Sequence, residues 1–166
     1  MTHHSEIRLD TVPIDDKAMM YRVFQLYQYD LSVYSGEEIN AQGVFDYPYF
    51  DDYWIEDNRK LFLIRYNENL AGFVMLRLDI DDEVFNRRVN SIAEFFVMNC
   101  YRRTGIGEIV AQQCWSRYPG MWSLMAYTSN LPAIAFWQRT IAAHAKSGKF
   151  ESKTIQNKIH FGFIAG

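Results

Sequence analysis

Val89-Asn90-Ser91-Ile92-Ala93-Glu94-Phe95-Phe96-Val97-Met98, followed by Asn99-Cys100-Tyr101 and then by Arg102-Arg103-Thr104-Gly105-Ile106-Gly107, is the stretch on which the fold of this chain turns. Its first part is an apolar, β-rich run that contains a single acid. Its last part sets two glycines one residue apart. From there Ile106, Ile109, Val110 and Cys114 recur at the spacing of one helix face until Pro119-Gly120 ends the pattern. Strand, glycine-rich turn and helix in that order leave the first N–H groups of the helix unpaired, where they can receive a phosphate. Gly105 and Gly107 keep Cβ atoms out of an anion's path, and Arg102 and Arg103 bring positive charge to its mouth. Two other phosphate loops do not fit. No Gly-Lys-Ser/Thr follows, as a Walker motif requires; the third glycine position of a dinucleotide fingerprint is Val110, with no acid near position 127.

Upstream, the apolar runs 61–66 and 70–79 around Asn67-Glu68-Asn69 predict an antiparallel hairpin, and residues 81–88 read as a polar connection into the motif strand. Ile7 and Leu9 mark a short first strand. Asp15 or Asp16 stands at an N-cap position before a helix over 17 to about 30, whose apolar face is Met20, Val23, Phe24, Tyr27 and Leu31. Residues 35–60 are less regular, with helices expected near 37–41 and 50–57. Downstream, 122–128 is a strand. Ser129 or Asn130 then caps a helix that carries Pro132 in its first turn and runs to about His144. Residues 150–155 and 158–164 close the chain as a hairpin around Gln156-Asn157. No repeat or linker divides the sequence, so one mixed α/β domain over residues 1–166 is expected.

The chain has 166 residues, 49% hydrophobic and 22% charged, which supports one domain with a sizeable core and excludes a disordered chain or a disulfide miniprotein. The net charge of -3 hides a split. Residues 1–90 carry 17 Asp/Glu against 9 Lys/Arg, and residues 91–166 carry 3 against 8. No Lys/Arg run exceeds two residues, so no nucleic acid partner is expected, and no apolar stretch approaches the roughly 20 residues that span a bilayer, so no membrane partner either. The N-terminus lacks the basic start and apolar run of a secretory signal, which predicts a cytoplasmic protein. Cys100 and Cys114 read as two buried thiols in a reducing compartment, and no metal is expected. His3, His4, His144 and His160 read as terminal, surface or edge residues.

The segment 102–107 fits the pattern Gln/Arg-x-x-Gly-x-Gly/Ala, and the next strand is followed by Asn130, by Ala133 three residues on, and by the aromatic pair Phe136-Trp137. On these two signatures, in this order, the chain resembles the GNAT superfamily of acyl-CoA-dependent N-acyltransferases, most strongly over residues 89–144. The resemblance implies an α/β fold with a central, mostly antiparallel sheet, one parallel splayed strand pair and flanking helices. It implies acetyl-CoA as cosubstrate, lying in the splay. Pantetheine would pair with main chain at Phe96, Val97 and Met98, and the pyrophosphate would meet the N–H groups of residues 103–108, namely Arg103, Thr104, Gly105, Ile106, Gly107 and Glu108, beside Arg102. Asn130, Ala133, Phe136 and Trp137 would border the same donor. An N–H near Val97 would polarise the thioester carbonyl. The acceptor amine would attack directly without an acyl-enzyme, so Cys100 is not a nucleophile.

An alkylammonium of pKa about 10.4 must lose a proton before it attacks. Glu94 falls where many members of the superfamily place a general base; otherwise it reads as a solvent-facing or salt-bridged strand residue. The superfamily often has a tyrosine as acid at the position of Trp137, whose indole is not acidic. Tyr127 and Tyr101 are the substitutes, and a thiol of pKa about 8.5 can also leave unaided. On the acceptor side, residues 45–57 interleave six aromatic residues with five acids. Tyr49, Tyr53 and Trp54 are the candidates to hold a cation, at about 0.5–2 kcal/mol per cation–π contact. The same run also reads as an irregular loop anchored by its aromatics. The expected reaction is acetyl transfer to a primary amine, on a small molecule or else on a peptide. The alternative is a module of the same fold that binds acyl-CoA without turnover, and a homodimer through the final hairpin edge is left open.

Overall fold

In the computed structural model, which describes residues 6–166, alternation of apolar side chains along two strands organises the fold. In β2 (Arg59–Tyr66) and β3 (Asn69–Asp82), Leu61, Leu63, Phe73 and Met75 point to one side, and Phe62, Ile64, Val74 and Leu76 to the other; all are buried. Both faces must therefore be covered. On the first lies α1 (Lys17–Ser35), which packs Met20, Val23 and Phe24 with Phe50 and Tyr53. On the second lie α2 (Ile106–Arg117) and α3 (Leu131–His144), which contribute Ile106, Val110, Cys114, Trp115, Trp137 and Ile141.

The remaining strands are β1 (Ile7–Thr11), β4 (Arg87–Val97), β5 (Met121–Tyr127), β6 (Ala145–Ile155) and β7 (Lys158–Ala165), in the sheet order β1-β2-β3-β4-β5-β7-β6. Every neighbouring pair is antiparallel except β4 and β5, which run parallel and meet only at Asn90–Trp122 and Ser91–Ser123. Beyond those two rungs they part. The register of β3 against β4 slips beside Ala93, a bulge just before the open half of β4. At the closed end, the turn between β3 and β4 reaches across to β7. Phe85 is buried there, with its ring about where a side chain at Gly162 would stand, and Lys153 Nζ donates to Val84 O at 2.8 Å while Arg87 pairs with Glu151.

The mixed α/β fold with one splayed parallel pair is as expected, but several local expectations are corrected. No helix forms near 37–41, because Gly36 ends α1 in the left-handed conformation (φ 72°) and Asn40 then bonds the Gln42 N–H and the Asp46 side chain, closing a local turn instead. The helix expected over 50–57 is a single 3-10 turn, Asp51–Trp54, pinned to α1 by Phe50 and Tyr53. The connection at 81–88 shrinks to residues 83–86, and α1 runs on to Ser35. Cys100 is exposed rather than buried, and Ile109 is exposed on α2, whose buried face uses Ala111 and Trp115 in its place. Asp16 precedes α1 without a side-chain cap bond. His3 and His4 lie outside the described residues. Among the described residues, no helix is long and apolar enough to cross a membrane, and no three metal-ligating side chains converge.

Candidate active site

The gap between β4 and β5 is lined on one side by main chain that β3 does not use. Met98 N–H donates to Ala71 O at 2.8 Å, which marks the position opposite Ala71 as hydrogen-bonding and Gly72–Val97 beside it as a pair that exchanges no bonds. Such pairs alternate along a strand, which turns the N–H and C=O of Val97 away from β3 and into the gap. The Val97 carbonyl accepts from Arg102 Nε at 2.7 Å; its N–H stands where a donor to a thioester carbonyl is wanted. Of the three residues expected to pair with a pantetheine arm, Val97 alone turns its main-chain groups to the gap, while Phe96 faces β3 and Met98 gives its N–H to Ala71 O and its carbonyl to Tyr101 N–H.

After the 3-10 turn Asn99–Tyr101, Arg103 (φ 64°) and Gly105 (φ 87°) take left-handed backbone, and a Cβ at Gly105 would meet nothing within 4 Å. Glycine is there for the conformation and for open approach. Ile109 N–H makes the first helical bond, to Gly105 O at 3.2 Å; the amides of residues 103–108 donate to no acceptor among the described residues. Thr104 Oγ1 ties the loop back to Tyr101 O at 2.6 Å. Gly107 serves packing instead, since a Cβ there would lie 3.1 Å from the Phe136 ring of α3. The two arginines divide. Arg102 is held by Asp30 of α1 at 2.7 Å, over the Phe96 ring, whereas Arg103 is exposed with no ion pair among the described residues. The Glu108 side chain turns to His144 at 2.9 Å. Asn130 Oδ1 caps α3 by accepting from Ala133 N–H at 3.2 Å, and Ala133 and Phe136 are half-buried. Trp137 is buried edge-on against Phe95 and Phe136.

Glu94 lies on the face of β4 toward α1, opposite Met75. Tyr27 Oη donates to Glu94 Oε2 at 2.5 Å, so the carboxylate is neither salt-bridged nor simply solvent-facing. Burial pushes its pKa up to about 7, against the opposing pull of the Tyr27 and Tyr47 hydroxyls; Glu37 raises it further and Lys158 lowers it. Burial also raises the phenols of Tyr27, Tyr47, Tyr53 and Tyr127, and the negative charge of Glu94 adds to each shift.

The aromatic run at 45–57 splits by role. Tyr53 is buried in the α1 core; its hydroxyl is close enough to Tyr47 and Arg59 for both to shift its pKa, yet it makes a well-formed hydrogen bond to neither. Trp54 donates to Val12 O at 2.9 Å and packs on Phe50, beside Lys17. Tyr49 is exposed, under the Arg59 guanidinium. Tyr127 is half-buried with Lys158 over its ring at 5.6 Å, and Tyr101 packs against Tyr66 with the two rings tilted by 55°. Sequence reasoning read Tyr27 only as part of a helix face and gave no role to Glu37 or Lys158. A tyrosine on a buried face needs a partner for its hydroxyl, and the lone carboxylate of the motif strand was that partner's signal.

A family profile described as Acetyltransferase (GNAT) family matches residues 21–141. Among solved structures, the chain is similar to an acetyltransferase from Thermus thermophilus, with TM-score 0.66, 15% identity and 95% of each chain covered. It is similar also to spermidine N-acetyltransferase from Vibrio cholerae in complex with CoA and spermine, with TM-score 0.64, 12% identity and 96% of this chain and 95% of that one covered. A third similar structure is the ribosomal-protein-S18-alanine N-acetyltransferase from Escherichia coli, with TM-score 0.60, 14% identity and 97% and 96% covered. No curated protein sequence matches the chain.

Proposed function

The chain belongs to the GNAT acetyltransferase family, and from that premise we propose that it transfers the acetyl group of acetyl-CoA to the primary amine of a small cationic molecule, by direct attack and in the cytoplasm. The observation that carries this reading is Glu94, a half-buried carboxyl of pKa about 7, hydrogen-bonded by Tyr27 beside the splay of β4 and β5. A base of that pKa is half ionised at neutral pH and still basic enough to take a proton from an amine.

The donor side fits the cosubstrate. The unpaired amides of residues 103–108 would hold the pyrophosphate, with Gly105 leaving room for it and exposed Arg103 adding charge. Val97 N–H would polarise the thioester carbonyl, a contribution of about 3–4 kcal/mol for such a donor. The amine nitrogen then attacks, the C–N bond forms, its proton passes to Glu94, and the C–S bond breaks. Tyr127 is the candidate to protonate the departing thiolate, since Trp137 is buried and not acidic. Glu37 and the Tyr47 hydroxyl lie close enough to Glu94 to act on its carboxyl, and the second carboxylate supports an amine with more than one positive charge. The free thiol of exposed Cys100 fits a reducing compartment.

A second reading, acyl-CoA binding without turnover, is favoured by one feature, Trp137 in place of an acid. The test is incubation with acetyl-CoA and a panel of polyamines, monoamines, aminoglycosides and peptides, read as CoA release. Release with at least one polyamine, lost in Glu94→Gln while calorimetric acetyl-CoA binding persists, is the expected result. Binding of acetyl-CoA with no release from any acceptor establishes the second reading. In Gly105→Val, binding itself should be lost.

A further inference from the structure

The bond from Tyr27 to Glu94 joins α1 to the motif strand, and nothing in the two family signatures includes it. The Tyr27 ring is fixed on three sides, by Phe24 at 5.7 Å, by Phe73 at 5.4 Å edge-on, and by Phe96 at 5.7 Å. Rings so packed hold their hydroxyl at one point. Because burial holds the phenol protonated and an ionised carboxylate has no proton to give, the hydroxyl is the donor toward the charged form of Glu94.

We propose that Tyr27 is the positioning residue of the catalytic carboxylate: by occupying Glu94 Oε2 it fixes the plane of the carboxyl group and leaves Oε1 as the atom that receives the acceptor's proton. The inference rests on the reading of Glu94 as general base.

The groups that face Glu94 come from every element around it. They are Tyr27 from α1, Glu37 from the segment after it, Tyr47 and Tyr53 from the loop before β2, Tyr127 from β5 and Lys158 from β7. Lys158, the cation among them, lies over the Tyr127 ring. The negative charge of Glu94 is thus held chiefly by neutral hydroxyls. A guanidinium in their place would drive the carboxyl into the ordinary acid range and leave a feeble base at neutral pH. With no donor at all, burial would keep the group protonated and idle. A phenol bond sits between these limits, and since Tyr27 keeps its own proton throughout, it enters the geometry of the transfer and not its stoichiometry.

The experiment is a carbon-13 titration of the Glu94 side-chain carboxyl by NMR, its signal assigned by its disappearance in Glu94→Gln, on wild type, on Tyr27→Phe and on protein carrying 3-fluorotyrosine at position 27. The expected midpoint is about 7 in wild type. In Tyr27→Phe it moves up by about one pH unit, the effect of losing one hydrogen bond to a charged group. In the fluorinated protein, whose phenol is the stronger donor, it moves down. Midpoints that stay put in both variants overturn the inference. With acetyl-CoA and spermine as substrates, the acid limb of kcat/KM should follow the NMR midpoint, so that Tyr27→Phe loses about tenfold at pH 6 and recovers at pH 9. A uniform loss at all pH values marks a merely structural role. If Glu94→Gln keeps wild-type turnover, the base reading fails although the coupling stands; if it loses turnover but Tyr27→Phe leaves the midpoint in place, the Tyr27 inference alone fails.

Discussion

Replacing Glu94 by Gln should stabilise the protein, and by an amount that depends on pH. The carboxyl titrates at about 7 in the folded chain, against an ordinary value of 4.5 that applies once the chain unfolds. Between those two values the folded state holds a proton that the unfolded chain has released, so stability is full below about pH 4.5 and falls as pH rises through about 7. The separation corresponds to at most about 3 kcal/mol. Glutamine keeps the shape and an acceptor for Tyr27 but has no proton to lose. At pH 5 wild type and Glu94→Gln should differ little. At pH 8.5 the variant should be more stable by up to about 3 kcal/mol, which for a chain of this size raises Tm by about 6–12 °C. Urea unfolding followed by tryptophan fluorescence at a series of pH values reads the difference directly. A stability difference that is the same at pH 5 and pH 8.5 refutes the assignment of a raised pKa, and one that grows toward low pH reverses its sign. If it holds, the carboxylate proposed as the general base is maintained against the stability of the fold, as functional groups often are.

Two further predictions concern glycines whose neighbours forbid a side chain. Gly72→Ala would set a Cβ 1.9 Å from Phe96 O, where backbone meets backbone and neither strand can yield, so a loss of about 3 kcal/mol or more is expected in denaturant unfolding, or no folded protein at all. Gly107→Val crowds the end of the Phe136 ring, at 3.1 Å from its Cβ, with Phe95 in ordinary contact at 3.7 Å, so it should cost about 1–3 kcal/mol, and less in a Phe136→Ala background, a non-additivity that a double-mutant cycle measures.

The motif strand, its loop and the following helices were legible because their signals are local: a β-rich run, two glycines, an Asn-x-Pro helix start. The apolar runs at 61–66 and 70–79 likewise predict the hairpin, though not that both of its faces are covered. What stayed hidden depends on distant partners. Asp30 and Arg102 stand 72 residues apart, and nothing near Arg102 says that its guanidinium turns to α1. Tyr27 and Glu94 stand 67 apart. The loop at 45–57 shows in one stretch both its anchors and its exposed rings, and only the packing of α1 separates buried Phe50 and Tyr53 from exposed Tyr49. The charge split does not divide the site in two: Glu94 lies in the basic half of the chain, and Arg102 pairs with Asp30 of the acidic half.

Phe85, seated against Gly162 far from Glu94, bears on how fast a ligand can enter. β4 and β5 share two rungs and are clasped below them by the hairpin tip, so their divergence is built during folding and no ladder has to unzip when a molecule arrives. Entry should then be a single bimolecular step without a preceding isomerisation, its observed rate rising linearly with ligand concentration where a gated cleft would level off.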